Sequence, residues 1–194
     1  MVKRTHKRDE LISAGRALIV RRGFNATGLS DILAAADVPK GSFYYYFESK
    51  EDFGLALIED EAKDYQKKLK ATLDNQQLSP LDRLRQYFLQ GIGEMEASQC
   101  EAGCLFGNLS QEMAACNPVF RDRIDDIFIE WENSLAICLE AAYEEGDIAQ
   151  RPDPELAQFV LSGWQGALMR SKTAKSTAPL HGFINTLFKR ILNL

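Results

Sequence analysis

The densest chemistry in this chain lies in Lys40-Gly41-Ser42-Phe43-Tyr44-Tyr45-Tyr46-Phe47. On a helix, Phe43 and Phe47 stand at i and i+4 and share the face that so short an element must bury. Lys40, Ser42, Tyr44, Tyr45 and Tyr46 are left to point outward. Tyrosine hydroxyls hydrogen-bond phosphate oxygens, and their rings contact thymine methyls and sugars, so this pattern points to a nucleic-acid contact. A second concentration is Gly103-Cys104-Leu105-Phe106-Gly107-Asn108-Leu109-Ser110-Gln111-Glu112. Glycine before Cys104 puts the cysteine at a helix start, where unpaired N–H groups and the helix dipole favour a reactive thiolate. Lys172, on a later helix, is the candidate cation beside it. Cys104 as a small buried apolar residue is the competing reading. Cys100 is a candidate resolving thiol, and Cys116 and Cys138 read as structural.

Other chemistries find little to work with. The four cysteines and the two histidines, His6 and His181, form no CxxC pair and no paired-histidine spacing, so no metal site is expected. Paired catalytic carboxylates, a phosphate-cradling glycine loop and a hydrolase serine elbow are all missing. The chain therefore reads as neither an enzyme nor a holder of a cofactor.

The elements that must position these residues are helices throughout, and the expected fold class is all-α. Leu11, Ile12, Ala14, Leu18 and Ile19 make an apolar stripe over about 7–22, stopped by Gly23. Leu29, Ile32, Leu33 and Ala36 mark a short second helix, and Lys40–Phe47 a third. Ser49 caps a long fourth, with Asp52 at the capping-box position. Ser79-Pro80, Asn117-Pro118 and Asp153-Pro154 pair an N-cap with proline at the first helical position. They predict helices over about 80–97, 118–145 and 154–173, with shorter ones over 104–115 and 180–192. The natural division falls near residue 48, separating a head over 1–48 from a body over 49–194.

Charge supports that division. The net charge is −5, yet residues 1–50 hold nine Lys and Arg against five Asp and Glu, while the remainder holds fourteen against twenty-three. A basic head on an acidic body suits contact with phosphates at one end only. Lys3, Arg4, Lys7 and Arg8 form a basic arm that reads either as a source of phosphate or minor-groove contacts or as a merely solvated tail. No apolar run approaches a membrane span of about 20 residues, and no secretory leader is legible, so a cytoplasmic protein with reduced thiols is expected.

Four fragments in register resemble the TetR family of regulators: Arg22-Gly23-Phe24, Thr27-Gly28-Leu29-Ser30-Asp31-Ile32, Val38 to Phe47, and Ser49-Lys50-Glu51. Asp37 departs from the glycine usual in the family's turn, and aspartate tolerates the left-handed backbone there. The resemblance implies a homodimer with a helix-turn-helix head that binds double-stranded operator DNA and a body that binds a small-molecule effector. By position it places Ser30, Lys40, Ser42, Tyr44 and Tyr45 near bases, and Thr27, Tyr46 and Lys50 near phosphates. The Cys104 segment resembles a subgroup that includes repressors sensing electrophiles and unsaturated small acids. Gly163, Trp164, Gly166 and Ala167, with Phe183, Leu187, Phe188 and Ile191, are the expected two-fold interface, against the alternative of a core within one chain.

Overall fold

The computed structural model describes residues 2–193, with side chains from His6 onward. The side chains of Lys3 and Arg4 lie outside the described residues. Among the described residues every regular element is a helix: α1 Val2–Arg22, α2 Leu29–Ala35, α3 Lys40–Phe43, α4 Lys50–Leu73, α5 Pro80–Ala97, α6 Leu105–Met113, α7 Pro118–Glu144, α8 Leu156–Ala174 and α9 Ala178–Thr186, the last running into a wider π-helical turn over Leu187–Ile191.

The starts follow the capping chemistry in the sequence. Ser49 Oγ accepts from the Asp52 N–H at 3.0 Å, while the Asp52 carboxylate accepts from the Glu48 N–H at 2.9 Å. Ser79 caps α5 through the Asp82 N–H, and Asn117 caps α7 through the Phe120 N–H at 3.1 Å. Gly146, at φ +81°, ends α7.

The first helix begins at Val2, ahead of the expected start near Lys7, and three further boundaries differ from expectation. The third helix stops at Phe43 because the Tyr45 and Tyr46 N–H groups bond to Ser42 and Phe43, three residues back, which tightens Tyr44–Tyr46 into turns. The eighth begins at Leu156, because Leu156 N–H closes a turn onto Asp153 O and leaves Pro154 outside the helix. The expected single C-terminal helix starts earlier, at Ala178, and widens at Leu187.

The chain forms two compact units. The first gathers the residues up to Asp64 with Cys104–Ile124, so α6 and the start of α7 pack with α1–α3. Its centre is aromatic: Phe24, Phe43, Phe47, Phe53 and Phe120 are buried, with Phe43, Phe47 and Phe53 at ring separations of 5.1–5.8 Å. Gly54 is the point of closest approach in this packing, since a Cβ there would stand 2.5 Å from Phe120 and 2.7 Å from Phe24. The second unit holds Tyr65–Gly103 and the residues from Asp125 on. There Trp164 is buried against Phe88 and Phe183, and a Cβ at Gly91 would meet its indole at 2.6 Å.

Candidate nucleic-acid interface and its supports

The α2–turn–α3 unit is built as its pattern requires. Ile32, Leu33, Val38, Phe43 and Phe47 are buried, while Ser30 and Lys40 are exposed. Asp37 adopts φ +50°, the left-handed conformation the turn between α2 and α3 needs. Tyr44 and Tyr45 are 59% and 56% exposed, large values for rings beside a buried aromatic core. The Tyr44 ring leans edge-on against Phe43 at 5.5 Å, and Tyr45 against the half-buried Tyr46 at 5.0 Å. These contacts engage one side of each ring, and both residues stay more than half exposed. Ser42 is half-buried on the same short segment. Lys40, Ser42, Tyr44 and Tyr45 thus share one stretch of surface, whereas Ser30 stands on α2.

Two sequence expectations change at the turn that follows α1. Thr27 is wholly buried, and its hydroxyl donates to the Gly23 carbonyl at 2.7 Å. Its side chain therefore closes the turn, and its assignment to a phosphate is corrected. Lys50 is half-buried; its ammonium donates to the Phe24 carbonyl at 2.7 Å and lies 4.6 Å from the centre of the Phe24 ring. One of its three donors is spent on the turn. Of the basic arm, Lys7 pairs with Glu10 at 2.8 Å, and Arg8 lies over the Phe47 ring.

Sequence reasoning missed the groups that hold this turn from α6. The Glu112 carboxylate accepts from the Phe24 and Asn25 N–H groups at 3.1 and 3.0 Å, and Asn108 Nδ2 donates to the Val20 carbonyl at 3.0 Å. Gly23 sits beneath at φ +88°, where a Cβ would stand 2.4 Å from Glu112 Oε1. The only local signal was the glycine stop itself, which leaves N–H groups in need of acceptors. The acceptor lies some ninety residues away in sequence.

Cys104 is the N-cap of α6, half-buried, with its sulfur accepting from the Gly107 N–H at 3.5 Å. Lys172 lies in the last turn of α8, in the second compact unit. Cys100 is buried, with its backbone in the left-handed region at φ +57°. Cys138 is buried and donates to the Pro80 carbonyl at 3.2 Å, and its burial pushes the thiol up to about 11. Cys116 is exposed just past α6.

The expected two-fold interface is also revised. Trp164, Ala167, Leu187 and Phe188 are buried within the single chain, Phe188 beneath the Arg85 guanidinium at 4.2 Å, and Gly163 packs on Phe183. Among the residues α8 leaves outward, Phe159, Ser162 and Met169 are exposed and the half-buried Gly166 lies between them on the same face, with Phe159 57% exposed.

A buried aromatic base carrying outward tyrosines just past a short helix, itself entered through a left-handed turn, defines a helix-turn-helix DNA-binding protein. Known proteins agree. Residues 11–57 match the bacterial regulatory proteins of the tetR family, and residues 80–187 match the tetracyclin repressor-like C-terminal domain. The chain is 35% identical over 190 residues to the HTH-type transcriptional repressor DhaR of Mycobacterium sp. (strain GP1), covering 97% of this chain and 94% of that one. It is 38% identical over 179 residues to the transcriptional regulator AcuR of Cereibacter sphaeroides, covering 92% and 82%. The crystal structure of the reduced form of E. coli NemR superposes with a TM-score of 0.85 at 31% identity, over 96% and 98% of the two chains. The chain belongs to the TetR family: it is a helix-turn-helix transcriptional regulator and not an enzyme.

Proposed function

We propose that the protein is a cytoplasmic, homodimeric repressor that leaves its operator when a small electrophilic effector reacts with Cys104. Residues 1–48 form the DNA-binding part of this reading, and residues 49–194 the dimerisation and effector-binding part. The observation that carries it is the exposure of Tyr44 and Tyr45, beside Lys40 and Ser42, on a buried Phe43–Phe47 base. Ser30, Lys40, Ser42, Tyr44 and Tyr45 face bases, while Tyr46 and the uncommitted donors of Lys50 face phosphates. Repression is supported by the names of DhaR and NemR.

Dimerisation uses the outward face of α8, where Phe159 and Met169 are exposed and Gly166 allows close approach. The thiol reading is supported by the N-cap position of Cys104, since an N–H donated to sulfur favours the anion that attacks electrophiles. A relative described in a reduced form gives it further weight.

The test is capture of genomic duplex fragments by the purified protein, followed by limiting iodoacetamide with mass spectrometry of the four thiols. The expected result is selective capture of a two-fold sequence, first labelling at Cys104, and release that a Cys104→Ser protein does not show. Labelling that spares Cys104, or release from the Cys104→Ser protein, overturns the covalent switch and leaves DNA binding standing.

A further inference from the structure

The end of α1 is unusual in how its backbone groups are satisfied. In a continuing helix the Phe24 N–H would bond the Val20 carbonyl. Here the two are parted. The Phe24 N–H goes to Glu112 Oε1, the Asn25 N–H to Glu112 Oε2, and the Val20 carbonyl receives Asn108 Nδ2. Two side chains one turn apart on α6 thus stand in for a helical hydrogen bond that α1 gives up. Gly23 leaves the space in which the carboxylate sits. Two carbonyls of the turn are also taken, Gly23 by the Thr27 hydroxyl and Phe24 by Lys50. The turn leads directly into α2 and the outward tyrosines, so its position sets theirs.

We infer that Glu112 and Asn108 are positioning residues for operator binding: they hold the turn between α1 and α2, and through it the reading helix, without touching DNA. Cys104, Asn108 and Glu112 recur at i, i+4 and i+8, one face of the α6 segment. A shift of α6 is therefore a shift of the carboxylate that holds the head. This second consequence rests on the Cys104 reading; the positioning role does not.

The experiment compares Glu112→Ala, Glu112→Gln and Asn108→Ala with wild type by fluorescence anisotropy, on operator and on random duplex, over a salt series. Glu112→Ala is expected to weaken operator binding about tenfold, the effect of roughly 1.4 kcal/mol. Binding to random duplex stays within about twofold and the salt slope is unchanged, because no phosphate contact is lost. Glu112→Gln, which keeps one acceptor oxygen, recovers part of the loss. Asn108→Ala gives a smaller effect of the same kind and stands in for Glu112→Ala if that protein melts below the assay temperature. Wild-type operator affinity in Glu112→Ala, or equal weakening on operator and random duplex, overturns the proposal. Iodoacetamide is then added to wild type and to Glu112→Ala. Loss of operator by the first and little further loss by the second supports transmission through α6, and equal further loss refutes it. If wild type is not released at all, the Cys104 reading fails while the operator comparison still decides the positioning role.

Discussion

Lys50 serves two masters in this reading, and one substitution separates them. Its ammonium donates to the Phe24 carbonyl and lies over the Phe24 ring. A hydrogen bond from a charged donor contributes about 1.5–3 kcal/mol and a cation–π contact at an exposed site about 0.5–1 kcal/mol. Lys50 is half-buried, so water replaces part of both, and the net loss on Lys50→Met is expected near 1–2 kcal/mol with the apolar stem kept. A loss of that size lowers the melting temperature by a few degrees. Each phosphate contact adds about 0.9 to the slope of log affinity against log salt, so removing one from each half of a dimer makes it shallower by about 1.8. Lys40 is the control, exposed at the first position of α3. Lys40→Ala, at a residue that faces bases in this reading, is expected to alter base preference with melting unchanged. Anisotropy titrations between 50 and 300 mM salt (about a sixfold range, ample for such slopes) and thermal melts read both quantities. A Lys50→Met protein that melts early but keeps its slope would refute the phosphate contact and leave Lys50 as a clamp on the turn alone.

Three further outcomes follow from the same geometry. Phe159→Asp, on the open face of α8, is expected to give a folded monomer by light scattering, while Phe188→Asp buries a charge and lowers the melting temperature instead; a folded dimer from Phe159→Asp removes the α8 interface. Ser42→Ala and Tyr45→Phe are expected to change base preference in a selection from randomised duplexes, and identical selected sequences would count against base contact. The Arg123 guanidinium beside Glu59 holds that carboxyl below its ordinary 4.5, so the pair adds stability above that pH and loses it as pH falls through the folded value. Arg123→Ala should therefore cost stability at pH 7 and progressively less as pH falls below 4.5, and a difference independent of pH would refute the pairing.

The elements were legible because their ends carry local chemistry. Ser79-Pro80 and Asn117-Pro118 announce helix starts that the hydrogen bonds confirm, and Phe43 and Phe47 announce their burial by spacing alone. What escaped was long-range. Thr27 resembled a polar contact residue until its hydroxyl was seen closing on Gly23. Glu112 lay within a segment already singled out, yet nothing in its neighbours tells that its partners are Phe24 and Asn25. Phe188 and Trp164 failed as interface residues because an apolar stripe at helical spacing reads the same whether a second chain or the same chain covers it.

Formal charge is the other place where the sequence misleads, and Arg16 shows why. Nine cations against five acids in residues 1–50 suggest a surface eager for phosphate. Yet Arg16 points across to α4, where Asp60, Glu61 and Asp64 engage its guanidinium, with Nε 2.9 Å from Glu61 and Nη1 3.4 Å from Asp64. Lys7 is similarly engaged by Glu10. Such a cation adds little to the field a phosphate meets, because its charge is already balanced by neighbours within a few ångströms. Its work is to tie α1 to α4, and without it three carboxylates on adjoining turns repel one another. Surface pairs contribute about 0.2–1 kcal/mol each, so the three together should be worth about 1–2 kcal/mol. Arg16→Gln is therefore expected to lower the melting temperature and to leave the salt slope of operator binding where it was. A slope that flattens by about 1.8, as for loss of one phosphate contact per protomer, would show that Arg16 turns away from its acids when DNA is bound, and would refute its assignment as a purely internal tie.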